Sequence, residues 1–190
     1  MIRAFIAVDV SDDVRARVAE AQARLKRAPV RVKISWTKPE NWHLTLQFLG
    51  YVDEEVTSVI SNSLDILAKS HSSFDLAICG AGAFPNEHRP RVLWAGCDDR
   101  EGKLQTLAAW VRAAMKGLGF EPEEREFAAH LTLARMRFPR PDDALTRALD
   151  SIRNAAFGTM RVEAVHLFES QLHPQGPVYR KLSSHALQAA

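Results

Sequence analysis

Cysteine is scarce in this chain. Cys79 and Cys97 are the only two in 190 residues, too few for a disulfide framework and at a spacing no zinc motif uses. Both read as small core residues on strands. No apolar run is long enough to span a bilayer. His-Glu-x-x-His, paired aspartate clusters and Cys-x-x-Cys are all missing, so metal catalysis has no support in the sequence and no cofactor is expected. Gly80-Ala81-Gly82 lacks the third glycine and the following helix of a dinucleotide site, and it reads as a turn. Charge is not lopsided either. A net charge of +2 excludes a polycationic surface that grips duplex nucleic acid at large, while a local basic cleft for a nucleotide or a nucleic-acid end stays open. The start, Met1 to Val10, places Asp9 directly after its apolar stretch. It reads as a first strand and not as a signal peptide, so a cytoplasmic, monomeric protein without membrane contact is expected.

What the chain does have is a tetrapeptide that occurs twice. His43-Leu44-Thr45-Leu46 returns as His130-Leu131-Thr132-Leu133. A shuffled chain of this composition would hold about 0.003 such tetrapeptides, so two copies are not accidental. The two histidines are 87 residues apart, and the same offset aligns more than the motif. Phe5-Ile6-Ala7-Val8 falls on Val92-Leu93-Trp94-Ala95, both strand-like. Helical spacing follows each of them, over Val14–Lys26 and over Leu104–Leu118, with Asp12 and Asp99 near the two helix starts. A second helix follows each motif, marked by Val56, Ile60, Leu64 and Leu67, then by Ala144, Leu145, Leu149 and Ile152. Phe74–Ile78 aligns with Arg161–Val165 as a closing strand. Segments rich in Pro and Gly, Gly80 to Pro90 among them, separate these elements.

Each half therefore reads strand, helix, motif strand, helix, strand. The expected fold is α+β and bilobal, a duplication across roughly 3–80 and 90–167 within one domain spanning 1–190. Two lobes related by a pseudo-twofold axis would carry mostly antiparallel sheets flanked by helices, with intertwined chains and a central cleft. The tail from Leu167 to Ala190 would add a further strand pairing.

Side chains alternate along a strand, so His43 and Thr45 face one way and Leu44 and Leu46 the other, and likewise in the second copy. The leucines fill the cores and the polar residues line the cleft. Two imidazoles and two hydroxyls around one space suit a phosphodiester. Attack by water needs a base, the departing oxygen needs an acid, and the non-bridging oxygens need donors. A lone strand histidine would be weak evidence, and the five others (His71, His88, His166, His173 and His185) read as structural or exposed. Simple alternation puts Arg135 on the leucine face unless a bulge or the strand's end turns it toward a phosphate. Phe48, its counterpart in the first half, is either core or a surface on which a base stacks. Trp42 reads as packing.

These motifs, with Arg3–Val8, Trp36 to Gly50, Phe84-Pro85, Arg91–Gly96, His130–Arg135, Phe168-Glu169-Ser170 and Gly176–Tyr179, resemble the 2H phosphoesterase superfamily, and within it the bacterial and archaeal RNA 2′,3′-cyclic phosphodiesterases, also called 2′-5′ RNA ligases. The resemblance implies a bilobal fold and metal-independent hydrolysis of a 2′,3′-cyclic phosphate, on RNA ends or small nucleotides, to a 2′-phosphate. It implies that His43 is the proton donor to the leaving 3′ oxygen and His130 the proton acceptor that activates water, with Thr45 and Thr132 holding the phosphate. The motif symmetry does not distinguish acid from base. ATP-independent 2′-5′ joining would be this reaction reversed. One position departs from the family pattern, Ala129 standing where a proline is usual. The rival expectation is a nucleotide- or RNA-end-binding module without catalysis.

Overall fold

The computed structural model describes residues 1–123, 126–174 and 176–189. The first half runs β1 (Ile2–Asp9), α1 (Asp12–Arg27), a short β2 (Ser35–Trp36), β3 (His43–Val52), α2 (Thr57–Ala68) and β4 (Phe74–Phe84). The second runs β5 (Val92–Asp98), α3 (Lys103–Gly117), β6 (His130–Arg135), α4 (Asp143–Asp150), β7 (Ala156–Val162), β8 (Ala164–His173) and β9 (Gly176–Ala186). The helices form where apolar residues recur every three or four positions: Val14, Val18, Ala21 and Leu25 are buried along α1, and Leu104, Leu107, Val111 and Met115 along α3. Asp99 starts α3 by accepting from the amides of Leu104 and Gln105. No described helix is long and apolar enough to cross a membrane.

Two antiparallel sheets result, with strand orders β3-β1-β8-β9 and β2-β6-β5-β4-β7. Each motif strand pairs with the first strand of its own half. The closing strands are exchanged: β4 joins β5 in the second sheet, and β8 joins β1 in the first. The fold is thus α+β with two related sheets, as expected, and each sheet needs both halves of the chain. Three sequence expectations are corrected. Arg161–Val165 is not one strand, because β7 ends at Val162 and β8 starts at Ala164. Gly80-Ala81-Gly82 is not a turn but lies inside β4, where the register slips between Ile78 and Ala81. Gly82 is required there because a Cβ would collide with the Trp94 ring. The linker before β5 therefore begins only after Phe84.

The two motif strands share an irregularity. In the β1–β3 pair, Ile6 opposes Gln47 and Ala7 opposes Thr45, leaving Leu46 as an extra residue. In the β5–β6 pair, Leu93 opposes Ala134 and Trp94 opposes Thr132, leaving Leu133 as the extra residue. These bulges occupy equivalent positions. A bulge breaks the two-residue alternation, so the side chains beyond it change face. Phe48 and Arg135 accordingly point away from the core, Phe48 being 44% exposed. Leu44, Leu46, Leu131 and Leu133 stay buried.

A bulge also leaves a carbonyl outside the regular ladder, and here the other half satisfies it. Gln22 on α1, 2% exposed, donates to the Leu133 carbonyl at 3.0 Å and to the Thr37 carbonyl at 2.7 Å. The Thr37 amide donates to Leu133 as well, at 2.9 Å. Arg112 on α3 donates to the Leu46 carbonyl at 3.4 Å while its guanidinium lies over the Phe127 ring. Each half's first helix thus supports the other half's motif strand. Elsewhere α2 is tied to β9 through a chain in which Asp65 bonds His185, His185 bonds Ser183, and Ser183 bonds Ser61.

Replacing Gln22 with Leu leaves the part-buried Thr37 carbonyl without its donor and removes one of the two donors to the Leu133 carbonyl, which keeps the Thr37 amide. We expect destabilisation of about 1–3 kcal/mol, the cost of leaving such a group unpaired, read as a lower midpoint in urea unfolding with unchanged slope.

Candidate active site

Residues before and after the two bulges line the face between the sheets. The strand register puts Asp9 opposite His43, Ala7 opposite Thr45, Phe5 opposite Phe48 and Arg3 opposite Tyr51. In the second sheet Gly96 lies opposite His130, Trp94 opposite Thr132 and Val92 opposite Arg135. Both histidines and both threonines are half-buried, between core leucines and solvent.

The two imidazoles are anchored in the same way. His43 Nδ1 lies 2.8 Å from the Asn41 carbonyl, and His130 Nδ1 lies 2.7 Å from the Ala128 carbonyl. A carbonyl only accepts, so each Nδ1 carries hydrogen and donates it. That fixes the tautomer and leaves Nε2 of each ring for chemistry. The Ala129 departure does not disturb this bond, because the acceptor is the carbonyl of the residue before it.

The surroundings of the two rings differ. His43 is enclosed by aromatics: Phe5 at 4.6 Å between centroids, and Tyr179 edge-on at 5.1 Å. Phe168 stacks on Phe5 at 5.2 Å. His130 meets Phe84 edge-on at 5.1 Å. Burial holds the His43 imidazole down to about 4, with the Asn41 carbonyl and Asp9 opposing and Arg135 and His130 adding to the effect. Burial lowers His130 too, against the Ala128 carbonyl and with Arg135 assisting. Both rings are therefore neutral near pH 7 in the free protein. The Tyr179 hydroxyl is pushed up by burial, with Arg135 and Arg3 pulling it back. Arg135 thus acts on His43, His130 and Tyr179 alike, so its charge lies within reach of all three.

Sequence reasoning placed His43, Thr45, His130 and Thr132 on this face. Arg135 and Phe48 reach it through the bulges. Phe5, Phe84, Asp9, Phe168 and Tyr179 were missed as site residues. Asp9 accepts from Lys181 at 2.5 Å and lies 3.6 Å from Nε2 of the buried His166, so His166 borders the site without entering it. Asn41 ties the motif loop to the tail by donating to the Pro177 carbonyl at 2.8 Å, which helps seat Tyr179. The only early sign of these tail residues was their place in the family resemblance. A groove of about 610 Å³ adjoins His43 through Phe168 and Tyr179 and is edged by Asp9, Asp12 and Glu40. Trp42 is core, at 2% exposure. Cys79 and Cys97 sit on β4 and β5 but are only partly buried. Burial pushes the Cys97 thiol up to about 11, which makes it inert as a nucleophile near neutral pH.

Comparison with known proteins places the chain in a family. The family model for LigT like phosphoesterases matches twice, over residues 8–94 and 97–179. The chain is 37% identical over 178 residues to the RNA 2′,3′-cyclic phosphodiesterase of Methanothermobacter thermautotrophicus, covering 94% of this chain and 95% of that protein. It is 38% identical over 182 residues to the protein of the same name from Archaeoglobus fulgidus, covering 95% and 98%. Among solved structures, TT0787 of Thermus thermophilus superposes with a TM-score of 0.83 at 32% identity, covering 99% of both chains. This chain belongs to the LigT like phosphoesterase family.

Arg135 lowers both histidines, so Arg135→Ala should raise both. In NMR titrations of the imidazole Cε1–H resonances, both midpoints should move upward in the variant. A midpoint that stays put would place the guanidinium away from that ring.

Proposed function

We propose that this protein hydrolyses 2′,3′-cyclic phosphates on RNA ends or nucleotides to 2′-phosphates, using His43 and His130 as the acid–base pair without a metal. The observation that carries this reading is the matched pair of Nδ1–H···O=C anchors, which leaves Nε2 of each ring free for proton transfer. The names of the relatives from Methanothermobacter thermautotrophicus and Archaeoglobus fulgidus support the same substrate class.

The family resemblance assigns the direction that the motif symmetry lacks: His130 takes the proton of the attacking water and His43 protonates the leaving oxygen. Burial lowers both imidazoles. The water oxygen bonds to phosphorus as the bond to the 3′ oxygen breaks. His43, which takes up a proton on Nε2 when the substrate's negative charge lies beside it, donates that proton to the 3′ oxygen, leaving a 2′-phosphate. The cycle closes when His130 releases its proton and His43 regains one from solvent. Thr45, Thr132 and Arg135 hold the non-bridging oxygens as charge builds on them, and Phe48 carries the base. With a 5′-hydroxyl end in place of water, the same steps form a bond from phosphorus to the 5′ oxygen as the bond to the 3′ oxygen breaks, which joins RNA ends through a 2′-5′ bond without ATP. RNA ends suit the cytoplasmic location read from the sequence.

Three outcomes follow. His43→Ala and His130→Ala should each lose at least about 10²-fold in kcat while remaining folded, and wild-type activity should survive EDTA. Full turnover in either variant would reject the pair. The phosphate's negative charge should raise the depressed histidines, so binding of 2′-AMP at pH 7 should take up protons. Calorimetry in buffers of different ionisation enthalpy reads that uptake directly. Affinity for 2′-AMP should accordingly rise as pH falls toward 6, until the nucleotide's own phosphate begins to protonate. Tight 2′-AMP binding with no turnover of any cyclic phosphate would instead identify a binding module.

A further inference from the structure

The cleft face of the first sheet does not stop at Phe48. The register carries it one row further, to Arg3 on β1 and Tyr51 on β3, which oppose each other. Arg3 and Phe5 are two residues apart on the unbulged strand, so they share a face, and the rows are about 6.6 Å apart along the sheet. Tyr51 is 68% exposed and Phe48 44%, both unusual for aromatics with so much core available. Arg3 is close enough to lower the Tyr179 hydroxyl. No ion pair of Arg3 is found among the described residues.

The opposite exit from the site has another character. The groove past Phe168 and Tyr179 carries Asp9, Asp12 and Glu40. Its two cations are engaged, Lys181 with Asp9 and Arg15 with the carbonyls of Val10 and Pro39. A phosphate backbone is repelled on that side and drawn toward Arg3 and Arg135 on the other.

We propose that Arg3 and Tyr51 form a second nucleotide subsite, continuous with the phosphate site, for the residue immediately 5′ to the terminal nucleotide of a single-stranded RNA. The terminal base lies on the Phe48 row, the next base stacks on Tyr51, and the phosphate between them meets Arg3. Stacking on an exposed ring accepts any base, so this subsite selects a polynucleotide over a mononucleotide without reading sequence. The assignment rests on the functional reading above and names the substrate class that the same site prefers.

Calorimetry with two probes tests it: 2′-AMP, and the trinucleotide ApApA ending in a 2′-phosphate. The wild-type protein should bind the trinucleotide more tightly. Tyr51→Ala should weaken trinucleotide binding ~5- to 100-fold, the range of one lost base–aromatic stack, and leave 2′-AMP binding unchanged. Tyr51→Phe should restore the trinucleotide preference, since the ring and not the hydroxyl does the stacking. Equal wild-type affinity for both probes, or a proportional loss of both in Tyr51→Ala, would overturn the subsite. Self-association that Tyr51→Ala abolishes while trinucleotide binding persists would assign the face to a second copy of the chain and overturn it too. Hydrolysis of 2′,3′-cyclic AMP is assayed separately. Its absence would count against the catalytic reading alone, because the two binding affinities still decide the subsite.

Discussion

One extra residue at the equivalent place in each motif strand, Leu46 and Leu133, shapes the face between the sheets, and the first strand carries a second, Leu49, further along. Without Leu46 and Leu133 as bulge residues, strict alternation would drive Phe48 and Arg135 into the leucine cores. With them, a histidine, a threonine and a third side chain emerge on one side while the leucines stay on the other. Such a bulge frees a carbonyl that must find a donor. Gln22 and Arg112 supply those donors, each from the helix of the opposite half. The irregularity that shapes the site is therefore also a point where the halves hold each other.

The exchange of closing strands has the same effect on a larger scale. Because β4 completes the second sheet and β8 the first, neither sheet can form from one half alone. The two histidines are in this way held by a common core and not by two lobes free to drift. Acid–base catalysis by a pair of groups depends on such fixed placement, since each must reach its own proton in the same transition state.

Duplication supplied two equal motifs, and later divergence around them made the equality useful. The anchoring carbonyls of Asn41 and Ala128 remain equivalent, so both rings keep one tautomer. The walls do not. Phe5 and Tyr179 close around His43 more fully than Phe84 does around His130, while burial lowers both imidazoles. Beyond the bulges the first strand carries an aromatic ring, Phe48, and the second a cation, Arg135. A nucleotide is itself such a pair, a flat base and an anionic phosphate.

Much of this was legible in the residues alone. The repeated His-Leu-Thr-Leu, its 87-residue offset and the apolar periodicities determined the duplication, the elements and the facing of His43, Thr45, His130 and Thr132, because strand and helix periods are local properties of a chain. The break at Glu163, the glycines inside β4, the turning of Arg135 and the gathering of Phe5, Phe168 and Tyr179 around His43 were not. Each depends on which strand lies beside which, and pairing partners far apart in the chain leave no periodic trace. The different walls of the two histidines belong with them. Two identical tetrapeptides cannot differ by themselves, and only their tertiary neighbours put Phe5 and Tyr179 around one imidazole and Phe84 beside the other.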